Sequence, residues 1–189
     1  MIKLIIGLGN PGQKYSKNRH NAGFLLLDSL AAAEGAGFSL QSRFFGELAE
    51  ISKEGCKLYL LKPSTYMNRS GQAVSSVMKY YKIKPEEVLV VHDELDFGVG
   101  ILKLKSDGGH GGHNGLRDII ASIGVKNFLR LRVGIGRPQG AKAVADYVLS
   151  DFSKNDLELV MSGLDDFLGL VSLLLVGEPG LAMQKLHSK

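Results

Sequence analysis

Residues 2–23 read IKLIIGLGNPGQKYSKNRHNAG: an apolar run that stops at glycines, a polar stretch without apolar period, then a return to helical spacing. The run from Ile2 to Leu8, broken only by Lys3, is the pattern of a strand buried on both faces and therefore central in its sheet. Gly7 to Gly12 fits G-x-G-x-x-G, a dinucleotide-binding signature when a helix N-terminus follows directly to hold pyrophosphate. Gln13 to Arg19 shows no helical period, so no helix starts there. Asp28, the nearest acidic candidate for a ribose contact, falls inside the helix expected over 21–33 by the spacing of Phe24, Leu27, Leu30 and Ala31, which Gly35 and Gly37 end. The glycines are read instead as a strand-to-loop turn, and the chain as α/β.

Outward from that strand, 44–52 and 57–62 form an antiparallel hairpin turned at Lys53-Glu54-Gly55. Ser64 and Thr65 offer N-cap chemistry to a helix striped by Val74, Val77, Met78 and Tyr81. Val88 to Val91 is a buried strand that ends at His92-Asp93-Glu94. Segments 101–105 and 128–135 alternate apolar and basic residues, as strands with one basic face do, and their Lys and Arg can align. A short helix over 116–123 lies between them, and one long helix over 156–176 follows. The fold class expected is α/β: a single domain over 1–189, built as a three-layer sandwich with a mixed, mostly parallel twisted sheet flanked by helices.

Composition narrows the function. Cys56 is the only cysteine, which leaves no internal disulfide framework and no thiolate-rich zinc site; it reads as a small buried hydrophobe in a reducing, cytoplasmic protein. The N-terminal run is too short for a secretory segment, and the apolar stretch 167–176 is about half the ~20 residues of a membrane span, so no membrane partner is expected. Net charge is +4, but 101–145 holds eight basic residues and two acidic ones, a local net of +6 beside a glycine-rich loop. That concentration suits a polyanion.

The chemistry sits at strand ends. His20 opens the first helix, where Arg19 and the helix N-terminus would disfavour the imidazolium and keep a base neutral. Asp93, at the carboxyl end of a buried strand, can accept the imidazole N–H and fix its tautomer. His92 should face the opposite side, as a structural residue. Asn10, Asn68 and Asn114 each have a local role available, as turn former or helix N-cap, yet together would line one pocket with neutral hydrogen-bonding groups able to polarise a carbonyl. Such a set suggests hydrolysis of an uncharged group. Two rivals stay open: a metallohydrolase site of His110 and His113 with His92, Asp93 and Glu94, and a purely RNA-binding module.

Taken together, GLGNPGxxYxxxRHNAG (7–23), PxTYMNxSG (63–71), HDELD (92–96) and GGHGGHNGLRDI (108–119) closely resemble the bacterial-type peptidyl-tRNA hydrolases over about residues 1–150. The resemblance implies cleavage of the ester between a peptide and the terminal ribose of tRNA by a monomer without metal or cofactor. By motif position it makes His20 the general base, Asp93 its orienting partner and Asn10 the residue that contacts the peptide and helps reject unblocked aminoacyl-tRNA. Asn68 and Asn114 correspond to positioners of substrate and water. Tyr15, Tyr66, Met67 and His113 would line the cleft for the peptide and acceptor end, and Lys103, Lys105 and Arg132 would clamp the phosphate backbone. Asp96-Phe97-Gly98-Val99-Gly100 lacks the prolines that the family commonly carries there, which predicts a looser loop before Lys103. A lid is expected near 141–153.

Overall fold

A computed structural model of the chain, describing residues 1–138 and 143–188, places β1 (Leu4–Gly7) at the middle of a seven-stranded sheet. In chain order there follow α1 (Ala22–Ala33), β2 (Ser39–Gln41), β3 (Gly46–Lys53), β4 (Cys56–Pro63), α2 (Ser70–Tyr81), β5 (Val88–Glu94), β6 (Leu102–Ser106), α3 (Asn114–Ile123) and β7 (Leu129–Gly134). The chain ends in α4 (Val144–Val148), α5 (Lys154–Leu168), α6 (Val171–Leu175) and α7 (Pro179–His187). The sheet order is β2-β3-β4-β1-β5-β7-β6; β1 runs parallel to β4 and β5, and β5 to β7, while β3 and β6 run the other way. The mixed α/β sandwich expected from the sequence is therefore the fold observed.

Alternation along the central strands divides the core. Ile5, Leu89, Val91, Leu131 and Val133 point to α1 and α5, where they meet Leu26, Leu27, Leu30, Val160, Leu164 and Phe167. Leu4, Ile6, Val88 and Val90 point to α2 and α3, against Val74, Val77, Leu116 and Ile119. Each such fully buried aliphatic side chain contributes roughly 1.5–3 kcal/mol. Because α1 covers one face and α2 the other, the chain reverses its winding at β1, and a crevice opens beyond the carboxyl ends of β4, β1 and β5.

Gly7 and Gly23 set the depth of that crevice. A Cβ at Gly23 would fall on the backbone of Leu8 and Val91, and one at Gly7 on the backbone of Gly23, so the first turn of α1 rests directly on the strands. This close approach, not pyrophosphate binding, is what the first glycine of the G-x-G-x-x-G stretch serves.

The C-terminal region departs from expectation. The long helix over 156–176 is two helices, α5 and α6, broken at Gly169-Leu170, and α7 follows them with Ala182 and Leu186 buried. His187 Nε2 accepts from the Leu104 backbone N–H at 3.1 Å, which covers the outer edge of β6. Cys56 is half-buried, with Sγ 4.0 Å from the Leu175 carbonyl oxygen. The loop 96–100 is held rather than loose: backbone bonds run from Gly100 to Gly134 (3.0 Å), Gly136 to Phe97 (3.0 Å) and Ile135 to Glu94 (2.9 Å). Hydrogen bonds here replace the restraint that proline rings would give. Among the described residues, no helix is long and apolar enough to cross a membrane.

Candidate active site

β5 extends three residues beyond the expected end, so His92, Asp93 and Glu94 lie in the strand and Asp93 stands at the crevice, 5% exposed. The turn Arg19–Asn21 leads into α1 and brings His20 Nδ1 to 2.8 Å from Asp93 Oδ1. The same oxygen receives His113 Nε2 at 2.9 Å. His113 Nδ1 accepts from the backbone N–H groups of Gly115 (3.2 Å) and Leu116 (3.3 Å), which makes His113 the N-cap of α3 and puts its proton on Nε2, toward Asp93. Asn114, expected as a possible cap, is the first helical residue. His20 therefore donates through Nδ1, and Nε2 is the nitrogen that faces the cleft.

The electrostatics reverse one expectation. Burial works against the His20 imidazolium, but the Asp93 carboxylate, through charge and hydrogen bond, outweighs it and holds His20 above the ordinary imidazole value. Arg19 has no part in this. Its guanidinium turns away to Ser150 Oγ (2.9 Å), the Asp151 carbonyl and Asp156 Oδ2 (2.9 Å), under the rings of Tyr147 and Phe152. Burial would raise the Asp93 carboxyl, yet His20 and His113 hold it well below the usual carboxylate range.

His92 faces the α3 side, as alternation requires, but its ring meets His113 edge-on at 5.0 Å. Its Nδ1 donates to the Asp93 carbonyl at 2.7 Å. Burial, followed by His113, pushes His92 down to about 3. Below the ordinary imidazole value the unfolded chain then binds a proton that the folded chain refuses, so stability falls as pH drops across that window. Between about pH 6.5 and 4.5 this amounts to roughly 2–3 kcal/mol. The expected result is a urea midpoint that declines over this range in the wild type and declines less in His92→Asn, whose amide can keep the bond to the Asp93 carbonyl. Equal slopes would contradict it.

Asn10 is fixed on three sides. Its N–H donates to Asn21 Oδ1 (2.9 Å), its carbonyl accepts from Asn21 Nδ2 (2.9 Å), and its Oδ1 accepts from the Met67 N–H (2.8 Å). Nδ2 is the group left over. Met67 is buried, with Sδ packed on Gly115. Three strand-end loops are thereby joined, and Asn10, Asn68 and Asn114 sit on neighbouring segments, the last two exposed. A cleft of about 450 Å³ is lined by His20, His92, Asp93, His113, Asn114, Lys105, Arg130 and Arg132.

A family model described as peptidyl-tRNA hydrolase matches residues 4–189. A protein of that name from Methylococcus capsulatus is 52% identical over 187 residues, covering 99% of this chain and all of its own length. One from Ruthia magnifica is 48% identical across the whole chain and 98% of its own. The chain belongs to the peptidyl-tRNA hydrolase family. The crystal structure of the peptidyl-tRNA hydrolase from Acinetobacter baumannii superposes with a TM-score of 0.94 at 45% identity, covering 98% of this chain and 94% of that one.

Of the other residues singled out by the family resemblance, His113, Asn114, Lys105 and Arg132 line the cleft that holds His20, whereas Asn10, Tyr15, Tyr66, Met67, Asn68 and Lys103 do not, so the three amides expected in one pocket are divided. Lys14 Nζ lies 4.7 Å from the centroid of the half-buried Tyr15 ring, and Tyr66 is exposed. The β6–β7 register pairs Lys103 with Arg132 and Lys105 with Arg130, on the face away from the α1 core, so the basic stripe aligns as expected. Phe97 lies under Arg132 (4.5 Å) and Lys103 (5.5 Å). Lys103 itself opens onto a separate groove beside His187. The metal set of the rival metallohydrolase reading is not assembled among the described residues: His110 Nδ1 accepts from the Gly112 N–H, and the cluster that does form is His20, Asp93 and His113. The lid segment is described from 143 onward, residues 141–142 lying outside the described residues; Asn18 Nδ2 holds the Leu149 carbonyl (2.5 Å) and Asp151 Oδ1 (2.8 Å), beside Arg19. Asn18 and Asn21 carry no chemical signature in the sequence beyond a polar run, and Arg19 reads there only as a positive neighbour of His20.

Proposed function

We propose that this chain hydrolyses the ester joining a peptide to the terminal ribose of tRNA, with His20 as general base. The observation that carries the reading is the Asp93–His20 bond, which fixes Nδ1 as donor and leaves a basic Nε2 facing the cleft. Water bound there loses its proton to Nε2 and attacks the ester carbonyl. The oxyanion takes hydrogen bonds from neutral donors, for which Asn68, Asn114 and glycine-loop N–H groups are the candidates. The imidazolium, steadied by Asp93, then returns its proton to the leaving ribose oxygen. The chain acts as a monomer without a metal or cofactor.

Asn10 supplies the discrimination. Its Oδ1 is committed to Met67, so only a donor remains for the substrate. The carbonyl of a preceding peptide residue is a partner for that donor; a free α-ammonium, itself a donor, is not. N-blocked aminoacyl-tRNA is expected to be cleaved, unblocked aminoacyl-tRNA spared, and a chelator to change neither. The donor atoms of His20, Asp93 and His113 lie within 4.8 Å of one another, a spacing that also admits a metal, and loss of cleavage in chelator would favour that reading.

Lys103, Lys105 and Arg132 hold the phosphate backbone. Lys103→Glu and Lys105→Glu are each expected to raise KM and to reduce the slope of log binding against log salt by about one contact, with kcat at saturation unchanged. A fall in kcat with the salt slope intact would assign these lysines elsewhere.

A further inference from the structure

The sheet order lays out the substrate. With phosphates on the β6–β7 side and the ester over β1 and β5, the peptide leaves toward β4 and β3. There, across the wall formed by the Asn10–Asn21 pair, lies a second cleft of about 400 Å³. We propose that this cleft is a specificity subsite for the peptide residue preceding the esterified one, and that it favours a basic side chain there. The proposal rests on the ester-hydrolase reading above and adds to it.

Three observations carry it. First, Asn10 lines this cleft while 8% exposed, and every hydrogen-bonding group it has except Nδ2 is already used. The Nδ2 donor left free at the mouth is where the carbonyl of the preceding residue would dock, with that residue's side chain directed inward. Second, the far wall holds Lys62 between Asp28 (2.7 Å) and Glu47 (3.1 Å). Lys62 is 12% exposed, its ammonium 4.1 Å from the Phe38 ring centroid, whereas Asp28 and Glu47 are 55% and 45% exposed. The cation is covered and the carboxylates face solvent, so an incoming group meets a wall with one net negative charge. Third, Phe24 and Pro63 supply apolar surface on which the stem of a lysine or arginine can lie.

The test is a substrate series on one tRNA with one esterified residue: N-acetyl-Lys-X-tRNA, N-acetyl-Ala-X-tRNA and N-acetyl-Glu-X-tRNA, with N-acetyl-X-tRNA as reference. The expected order in kcat/KM is Lys above Ala above Glu, each step about two- to fivefold, the size of a partly exposed charge pair. The Lys-to-Glu ratio, read within each variant, is expected to shrink in Asp28→Asn and to invert in Glu47→Lys. These changes lie on different elements, and each leaves Lys62 one carboxylate partner. Equal rates across the wild-type series, or a ratio that neither variant moves, would overturn the subsite. Failure to cleave N-acetyl-X-tRNA at all would instead overturn the reaction on which it rests.

Discussion

Replacing His20 by alanine is expected to lower kcat on N-blocked aminoacyl-tRNA by about 10²–10⁴-fold, the usual cost of losing a positioned general base. Binding of the tRNA should change little, because the basic stripe of β6 and β7 lies on other elements and His20 touches none of it. The structure should also survive. Asp93 keeps the His113 N–H as a partner, and Asn10 and Asn21 hold the turn through their own bonds. Single-turnover cleavage and a filter-binding isotherm on the same variant separate the two effects. A variant that keeps most of its activity would remove the imidazole from the mechanism, and one that loses binding in proportion to rate would make His20 a substrate contact only.

The parts of this molecule that were readable from sequence are those governed by short-range rules. Alternation in 101–105 and 128–135 predicts which residues share a face, and the register that sets Lys103 opposite Arg132 follows once the two strands pair. The Asp93–His20 partnership is legible because catalytic groups in open α/β sheets collect at the carboxyl ends of strands. The failures share a physical cause. Arg19 adjoins His20 in the chain, but a buried guanidinium seeks carbonyl and carboxylate partners, and those lie more than 130 residues away at Ser150, Asp151 and Asp156. His113 sits in a glycine-rich loop that reads as a turn, so its double use, as cap of α3 and donor to Asp93, emerges only from tertiary packing. The break between α5 and α6 follows Gly169, a weak helix former that local pattern reading passes over when apolar residues flank it.

The same tertiary logic makes Asp93 the more informative position to change. Asp93→Asn is nearly isosteric, so packing at the strand end is preserved, yet it alters His20 in two ways. An amide can donate its Nδ2–H to His20 Nδ1, which moves the imidazole proton to Nε2 and leaves no lone pair facing the water. The opposing charge also vanishes, so burial, unopposed, lowers the His20 value. The expected outcome is a kcat reduced by roughly 10²–10⁴-fold. The acid limb of kcat/KM, which should lie above the ordinary imidazole value of ~6.5 in the wild type, should move to lower pH in the variant. The sign is distinctive. A residue that merely supports the fold would scale the profile down without shifting it, and a carboxylate acting as the base itself would remove the acid limb. Titrating His20 by NMR in both proteins gives the same comparison without turnover: the resonance assigned to His20 should titrate at higher pH in the wild type than in Asp93→Asn. A His20 that titrates identically in the two would show that the 2.8 Å contact carries no electrostatic coupling, and the neutral-base mechanism would lose its support.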